Sequence, residues 1–452
     1  MKSKAGLVIL AIPQEISPIP EIAKDTMSGF AKRAEESLNN AGVDVIRVKE
    51  FINNPKIAVE TVDYLNRENI DCLIIKIGAW PSPSIAIDMI NKIRRQTPVI
   101  LWASSDQVTL SLVPACQFHG AFDDMGIEHE FIFAEPEEKK FTNLIKKVSS
   151  AARVVNHLDG MNMGLFGGRY MNMYTGTADP IQVKKIFGVE ITHINESVLI
   201  DEALKFDDRI VKDFSAILNK KYKRITAPEE VVDKSIRLYF AMKKLREEYN
   251  LNFASVKCML ETQGSYCSHC LSVSQNLDNG FVVSCEADIN AALTMQILHL
   301  LSEKAPGFGD VFNINMEKNI LRIANCGAFA TEFAKDPKEV VLNEQYEHLV
   351  PGPGTGLVTS FICKPGKVTL ARLGRIDGKY VMQISDGEAL DAIKKDLTKG
   401  WERLPHIFIR KHSDPENFLM NTRSNHIHWA YGNYVEELKS ICKILKISEI
   451  YC

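Results

Sequence analysis

The sequence has little that would mark a membrane, secreted or nucleic-acid-binding protein. Its N-terminal apolar run, Ala5 to Pro13, is followed at once by Gln14 and Glu15. A run of this length suits a first buried strand better than a signal peptide or a membrane span, so we expect a cytoplasmic protein with no membrane partner. The 54 Lys and Arg against 57 Asp and Glu leave a net charge of −3. Without a basic surplus, no nucleic acid partner is expected.

The ten cysteines are scattered through 452 residues, so reduced thiols are expected rather than a disulfide framework. One cluster joins Cys258, Cys267, His269, Cys270 and Cys285 and contains a single CxxC motif. A structural zinc site needs a second well-spaced ligand pair, which this cluster does not have. Buried thiols are therefore the preferred interpretation, and a zinc site is the alternative.

The length predicts two to four domains, and the sequence pattern divides into three. Residues 1–155 alternate apolar strands with amphipathic helices, which predicts a doubly wound parallel sheet of flavodoxin-like size. Residues 156–305 repeat this pattern from "MNMGLFGG" to "FVVSC" and predict a second sheet of the same kind. Gly167 and Gly168 resemble a phosphate loop only loosely, and turn glycines are the preferred interpretation. Residues 306–452 predict a β-rich C-terminal domain, an antiparallel sheet or small barrel that ends in a helix.

Two carboxylates follow the apolar strand of the second domain, at Glu286 and Asp288 in "FVVSCEADINAAL". Ligands of open parallel sheets bind beyond the carboxyl ends of the strands. A buried carboxylate also needs a partner, because its desolvation otherwise costs several kcal/mol. Asp288 can serve as a helix N-cap, and capping alone is the simpler interpretation of both residues.

Candidate partners lie in the last domain. Asp310 stands where the Gly-rich "APGFGD" loop meets a strand, and "NHIHWAYGNY" carries Asn425, His426 and His428. A turn aspartate and surface histidines are the simpler interpretation. Two carboxylates and one imidazole, with positions left for water and substrate, would however suit Mn²⁺ or Mg²⁺ better than Zn²⁺.

These residues together resemble the L-fucose isomerase family. The resemblance rests on the Glu-x-Asp of Glu286 and Asp288, on Asp310 at 24 residues beyond Glu286, and on Asn425-His426 with Gly432 six residues after the histidine. It implies two α/β domains followed by a β-rich domain. It also implies that Glu286, Asp310 and His426 bind manganese, with magnesium or another divalent ion as the alternative. Because an isomerase must move protons between neighbouring carbons and oxygens, we assign Glu286 and Asp310 jointly as its acid and base groups.

The resemblance implies a metal-dependent aldose–ketose isomerase that acts on an open-chain sugar through a cis-enediol(ate). "GGRYMNM" resembles a family segment that places Met171 near the sugar. Asn425 and His428 are candidates for sugar hydroxyls, and Trp401 or Trp429 for the apolar face of the sugar, with core packing as the alternative for both tryptophans. Family members are homo-oligomers in which a neighbour's first domain covers the site, so a trimer or hexamer is expected.

Two other functions stay open at this point. An arabinose isomerase-like or epimerase activity would use the same metal site. A non-catalytic sugar-binding protein with two α/β lobes would also fit the layout, on fold analogy alone.

Overall fold

The computed structural model describes residues 2–94, 96–258, 264–345, 355–392, 397 and 401–452. Its contacts divide the chain into two compact units. The first comprises Met1–Asn156 and Glu436–Leu445, and the second comprises His157–Val435 and Lys446–Cys452.

The first unit is built on a five-stranded parallel sheet with strand order β2-β1-β3-β4-β5. The strands are β1 (Ser3–Leu10), β2 (Val43–Ile52), β3 (Cys72–Ile77), β4 (Val99–Ala103) and β5 (His129–Phe133). The helices between and after them are α1 (Glu21–Asn40), α2 (Pro55–Arg67), α3 (Pro83–Lys92), α4 (Leu112–Asp124) and α5 (Lys139–Leu158). Successive residues of β1 point to opposite faces, so Leu7 joins one buried cluster and Val8 the other. Both faces are therefore covered, as a doubly wound sheet requires.

The second unit opens with a four-stranded parallel sheet in the order β10-β9-β6-β7. The strands are β6 (Asn162–Phe166), β7 (Glu190–Ile194), β9 (Phe253–Val256) and β10 (Val283–Ser284). The accompanying helices are α6 (Pro180–Phe187), α7 (Glu196–Ala203), α8 (Asp208–Lys221), α9 (Glu229–Glu248), α10 (Cys270–Asp278) and α11 (Ile289–Ser302). Strand β8 (Arg224–Thr226) belongs to a separate three-stranded sheet. There it pairs with β13 (Val341–Glu344), which also pairs with β14 (Leu357–Ser360).

The C-terminal part of the second unit contains six antiparallel strands that close on themselves. They are β11 (Gly307–Asn315), β12 (Ile320–Ala324), β15 (Gly366–Ile376), β16 (Lys379–Ala389), β17 (His406–Lys411) and β18 (His426–Tyr431). Their order is β15-β18-β11-β12-β17-β16, and β16 pairs again with β15. A last strand, β19 (Ser448–Tyr451), adds in parallel to β16. Helices α12 (Pro415–Met420) and α13 (Val435–Leu445) interrupt this part of the chain.

Helix α11 connects the parallel sheet of the second unit with the barrel, which is formed by the six closed antiparallel strands. Every residue from Ile289 to Leu298 is buried, so the helix is covered on all sides and packs against β15 and β18. Its N-terminus therefore meets strands that are far away in sequence. In the part of the chain that the structure describes, no helix is both long enough and apolar enough to cross a bilayer.

The predicted fold class is confirmed: two parallel α/β sheets precede a β-rich region. The Asp-Gly turn between β15 and β16 has positive φ at both residues, 49° at Asp377 and 73° at Gly378, as a two-residue hairpin loop requires. Helix α13 groups largely with the first unit, and the chain ends in a strand that the pattern did not reveal. The boundary at 305 lies inside the second unit and stays a prediction.

Candidate active site

The corner between β10 and α11 carries the first candidate ligand. Glu286 and Ala287 both adopt left-handed backbone conformations, with φ of 61° and 49°. Such conformations cost non-glycine residues of order 1 to 3 kcal/mol each and persist only where the surroundings impose them. Here the Ala287 N–H donates to the Val256 carbonyl (3.0 Å), and the Ser284 hydroxyl donates to the Asp288 carbonyl (3.0 Å). The corner holds the Glu286 side chain at 10% exposure.

Asp288 is the N-cap of α11 and is completely buried. Its Oδ1 accepts a hydrogen bond from the Ala291 N–H at 2.8 Å, so the predicted capping role is observed. The same carboxylate pairs with Arg372, whose Nη1 lies 2.8 Å from Oδ2, with both side chains at 0% exposure. Burial by itself raises the pKa of Asp288, but Arg372 and His426 outweigh it and hold that pKa well below its usual value. Asp288 is therefore an anion in the interior.

His426 stands at the centre of the cluster. Strands β11 and β18 pair Asp310 directly opposite His426. The buried imidazole places Nε2 at 3.1 Å from Glu286 Oε2 and at 3.7 Å from Asp310 Oδ1, while Nδ1 lies 2.8 Å from Asp288 Oδ2. Burial lowers the pKa of His426, yet hydrogen bonds to Asp288 and Glu286 raise it to about 10. The surrounding carboxylates therefore favour a positive charge at this position.

Asp310 is the most accessible of the three carboxylates, with a side chain 32% exposed. The Asn425 amide donates to its Oδ1 at 2.9 Å. Burial raises the pKa of Asp310, and Glu286 adds to this, although His426 and Asn425 act in the opposite direction. A raised pKa makes a carboxylate a stronger base for proton transfer.

The donor set fits a divalent cation. Oxygens of the Glu286 and Asp310 carboxylates lie 3.1 Å and 3.7 Å from His426 Nε2, and oxygen-rich sets of this kind suit Mn²⁺ or Mg²⁺. The other imidazole nitrogen is engaged by the Asp288 carboxylate, as metal-bound histidines generally require for their orientation. Glu286, Asp310 and His426 are the residues that would hold the ion.

The remaining predicted site residues lie in different surroundings. Asn425 contacts Asp310, as described above. His428 is fully buried, with Nε2 at 3.2 Å from Arg372 Nη1, so it is not a surface histidine. Trp401 packs edge-on against Phe312, with ring centroids 4.9 Å apart. The sugar-binding roles of Asn425, His428 and Trp401 stay predictions.

Met171 lies in the loop between β6 and α6, 64% exposed and with φ of 43°. Later residues of this loop are fixed to the N-terminus of α11. The Gly176 carbonyl accepts from the Ile289 N–H at 2.9 Å, and the Thr175 carbonyl accepts from Asn290 at 2.8 Å. The loop therefore runs beside Asp288, and the role of Met171 at the sugar stays a prediction.

Arg372 is a site residue that the sequence pattern missed. It lies on β15, pairs with Asp288, and donates from Nη2 to the Thr175 carbonyl at 3.0 Å. The signal was present in "VTLARLG", where one charged residue interrupts an apolar strand and so needs a buried partner.

The cysteines of the CxxC cluster are free and buried, as the preferred interpretation had it.

The C-terminal part of the chain matches a known protein family. The family model described as the L-fucose isomerase C-terminal domain matches residues 323–451. This range includes β15 with Arg372 and β18 with His426.

Curated relatives extend the likeness toward the N-terminus. The sulfoquinovose isomerase of Alkalicoccus urumqiensis is 25% identical over 265 residues, which cover 58% of this chain and 59% of that protein. The sulfoquinovose isomerases of Priestia aryabhattai and Priestia megaterium are each 21% identical over 370 residues, 80% of this chain and 81% of each relative. Among solved structures, an ABC-transporter solute-binding protein from Burkholderia multivorans covers 68% of this chain and 95% of that one at 11% identity, but its TM-score of 0.18 is too low to bear on fold or function.

Proposed function

We propose that this chain is a fucose isomerase-like enzyme that interconverts an aldose with its ketose at the Glu286, Asp310 and His426 cluster. The observation that carries this proposal is the convergence of the three side chains, from the end of β10 and from two paired barrel strands, around His426 Nε2.

The proposed substrate class is a sulfonated hexose. The three relatives are called sulfoquinovose isomerases, and two of them align over 80% of this chain. At 21% to 25% identity the pocket residues need not be shared, so neutral and phosphorylated hexoses belong in the same test. Sulfoquinovose, a hexose with a sulfonate group, is the first substrate to try.

In the proposed reaction one carboxylate removes the proton from C2 of the open-chain aldose and leaves a cis-enediol(ate). The same proton, or one exchanged with water, then bonds to C1, while a second proton moves from the C2 hydroxyl to the C1 oxygen. Glu286 and Asp310 share these transfers, which typically contribute about 10²- to 10⁴-fold in rate. The chemistry that a divalent ion supplies when bound at such a site is Lewis acidity toward the carbonyl oxygen.

The other residues of the cluster orient the groups that react. Asn425 holds the Asp310 carboxylate through its 2.9 Å hydrogen bond. Asp288 holds the His426 ring through Nδ1 and is itself fixed by the Ala291 N–H and Arg372. Because Asp288, Arg372 and His426 are buried, the imidazole beside the two carboxylates has little freedom to move.

A cytoplasmic homo-oligomer is part of the proposal. The family resemblance supports a trimer or hexamer in which a neighbour's first domain covers the site. Light scattering of the purified chain tests the subunit number, and a monomer that is fully active at every concentration would contradict it.

The experiment uses the full chain, stripped of metal and reconstituted with Mn²⁺ or Mg²⁺. Sulfoquinovose, L-fucose, L-arabinose and hexose phosphates are offered, and ¹³C NMR identifies a ketose or an epimer as the product. We expect ketose formation that requires the ion and is abolished in Glu286→Gln and Asp310→Asn. Glu317→Gln and Asp377→Asn, at exposed hairpin positions, are the matched controls.

Two results would overturn the proposal. One is the absence of turnover on every sugar by a folded chain that has bound the ion. The other is undiminished turnover in Glu286→Gln and Asp310→Asn.

A further inference from the structure

A second group of metal-ligating side chains lies in the first unit, whereas the candidate active site lies in the second. His119 and Asp123 are one helical turn apart on α4, and His129 is the first residue of β5. His119 Nδ1 lies 2.8 Å from His129 Nε2 and 3.8 Å from Asp123 Oδ2. One ligand atom from each of the three residues lies within 4.8 Å of the other two.

The spacing suits a small tetrahedral ion. Zinc binds imidazole nitrogen at about 2.0–2.1 Å and carboxylate oxygen at about 2.0–2.2 Å, so tetrahedral angles separate neighbouring ligand atoms by roughly 3.3 Å. The two distances from His119 Nδ1, 2.8 Å and 3.8 Å, fall on either side of this value. Side-chain shifts of about half an ångström would therefore bring His129 Nε2 and Asp123 Oδ2 to the distances from His119 Nδ1 that bound zinc requires.

The ring of His129 is already oriented for a ligand. Its Nδ1 lies 2.9 Å from the Ile127 carbonyl, which only accepts, so Nδ1 carries the proton and Nε2 presents its lone pair. Metal-bound histidines commonly donate their second nitrogen to a backbone carbonyl in this way. The lone pair points toward His119 Nδ1.

Aromatic side chains hold both imidazoles in place. Phe122 meets the His129 ring edge-on at 5.1 Å between centroids, and Phe131 lies 5.1 Å from the His119 ring. The opposite side is open, because the side chains of His119 and Asp123 are 44% and 65% exposed. An ion would enter from the solvent and keep a water molecule at its fourth position.

We propose that His119, Asp123 and His129 form a site for a divalent transition-metal ion, with Zn²⁺ as the ion that fits best. Two imidazoles and one carboxylate favour zinc over the oxygen-preferring Mn²⁺ and Mg²⁺. The bound ion connects the end of α4 with the start of β5 across residues 125–128. It stabilises the folded first unit, because the separated side chains of the unfolded chain bind it less well. The site does not depend on the proposed isomerase activity.

The test measures zinc binding to the chelator-treated full chain by equilibrium dialysis and atomic absorption. We expect His119→Ala/His129→Ala to bind one zinc equivalent fewer than the wild type, and His193→Ala, an exposed histidine on β7, to bind as the wild type does. Added zinc should raise the melting temperature of the wild type and not that of the double variant. Turnover with Mn²⁺ should be unchanged by the double substitution, which separates this result from the fate of the isomerase proposal.

Asp123→Ala serves as a second variant, because its exposed side chain is not needed for packing. We expect at least a tenfold loss of zinc affinity in this variant with an unchanged circular dichroism spectrum. Equal zinc stoichiometry in the wild type and the double variant would overturn the proposal. His119 and His129 of the wild type would then form only a hydrogen bond with each other, without a metal ion. Unchanged affinity in Asp123→Ala would remove the carboxylate from the ligand set and overturn the site as proposed.

Discussion

Replacement of Asp288 by Asn tests how the candidate site is supported. Asn has nearly the size of Asp and caps helices about as well, so the hydrogen bond from the Ala291 N–H should survive. The negative charge between Arg372 and His426 is lost, and both partners are fully buried. Removal of one member of a buried ion pair costs about 3 to 5 kcal/mol, because the other charge stays in the interior.

We therefore expect Asp288→Asn to lower the free energy of unfolding by about 3 kcal/mol, measured by urea denaturation. Asp414→Asn is the matched control. Asp414 caps α12 by accepting from the Asn417 N–H at 3.1 Å, but it is exposed, so little change is expected there.

Removal of the Arg372 charge as well distinguishes the effect of Asp288 on stability from its effect on the orientation of the His426 ring. In Asp288→Asn/Arg372→Met neither charge is left unpaired, and most of the lost stability should return. The affinity for Mn²⁺ should stay about 10- to 100-fold below the wild type in both variants, because the His426 ring has lost its carboxylate partner. A loss under about 1 kcal/mol in the single variant, with unchanged Mn²⁺ affinity, would refute this reasoning.

Two predictions concern folding alone. Burial lowers the pKa of Lys76 from 10.5 to about 7, although Asp106 and Glu135 oppose this. Between these two pH values Lys76 holds a proton in the unfolded chain but not in the folded one, so this residue should make stability rise with pH by about 1.4 kcal/mol per unit, and Lys76→Met should remove that contribution in urea unfolding. Gly307→Ala should cost about 1–3 kcal/mol in the same assay, because a Cβ would lie 2.1 Å from the Trp429 ring. Gly29→Ala, in open space on α1, should instead add about 0.5–1 kcal/mol. A flat pH difference or the reverse order of the glycine variants would contradict these expectations.

Local chemistry explains why much of the fold was predictable. Apolar strands alternating with amphipathic helices predict the parallel sheets, and Asp377-Gly378 predicts the hairpin turn between the antiparallel strands β15 and β16. The same reasoning predicted that Glu286 and Asp288 need partners, because buried carboxylates are costly alone. Their partner is His426, which lies 140 residues from Glu286.

The identity of the supporting residues could not be read from local pattern. "HIHWAY" forms a buried barrel strand because β11 and β15 pair with it on both sides, and those pairings join segments far apart in sequence. The left-handed backbone at Glu286 and Ala287 has no sequence signal, since neither residue favours it. Only the packing of α11 against the barrel brings Arg372 to Asp288.

Manganese binding by single-site variants tests the convergence of the three ligands most directly. Equilibrium dialysis, with free Mn²⁺ read by electron paramagnetic resonance, is applied to the wild type, Glu286→Gln, Asp310→Asn and His426→Ala, with Asp377→Asn as control. Each of these proteins also carries His119→Ala, so that the first unit does not contribute to binding. The protein with His119→Ala alone is the reference. We expect one ion per chain in the reference protein and in the control, and at least a tenfold loss of affinity in each of the three variants. Equal binding by all five proteins would mean that these side chains do not hold a common ion.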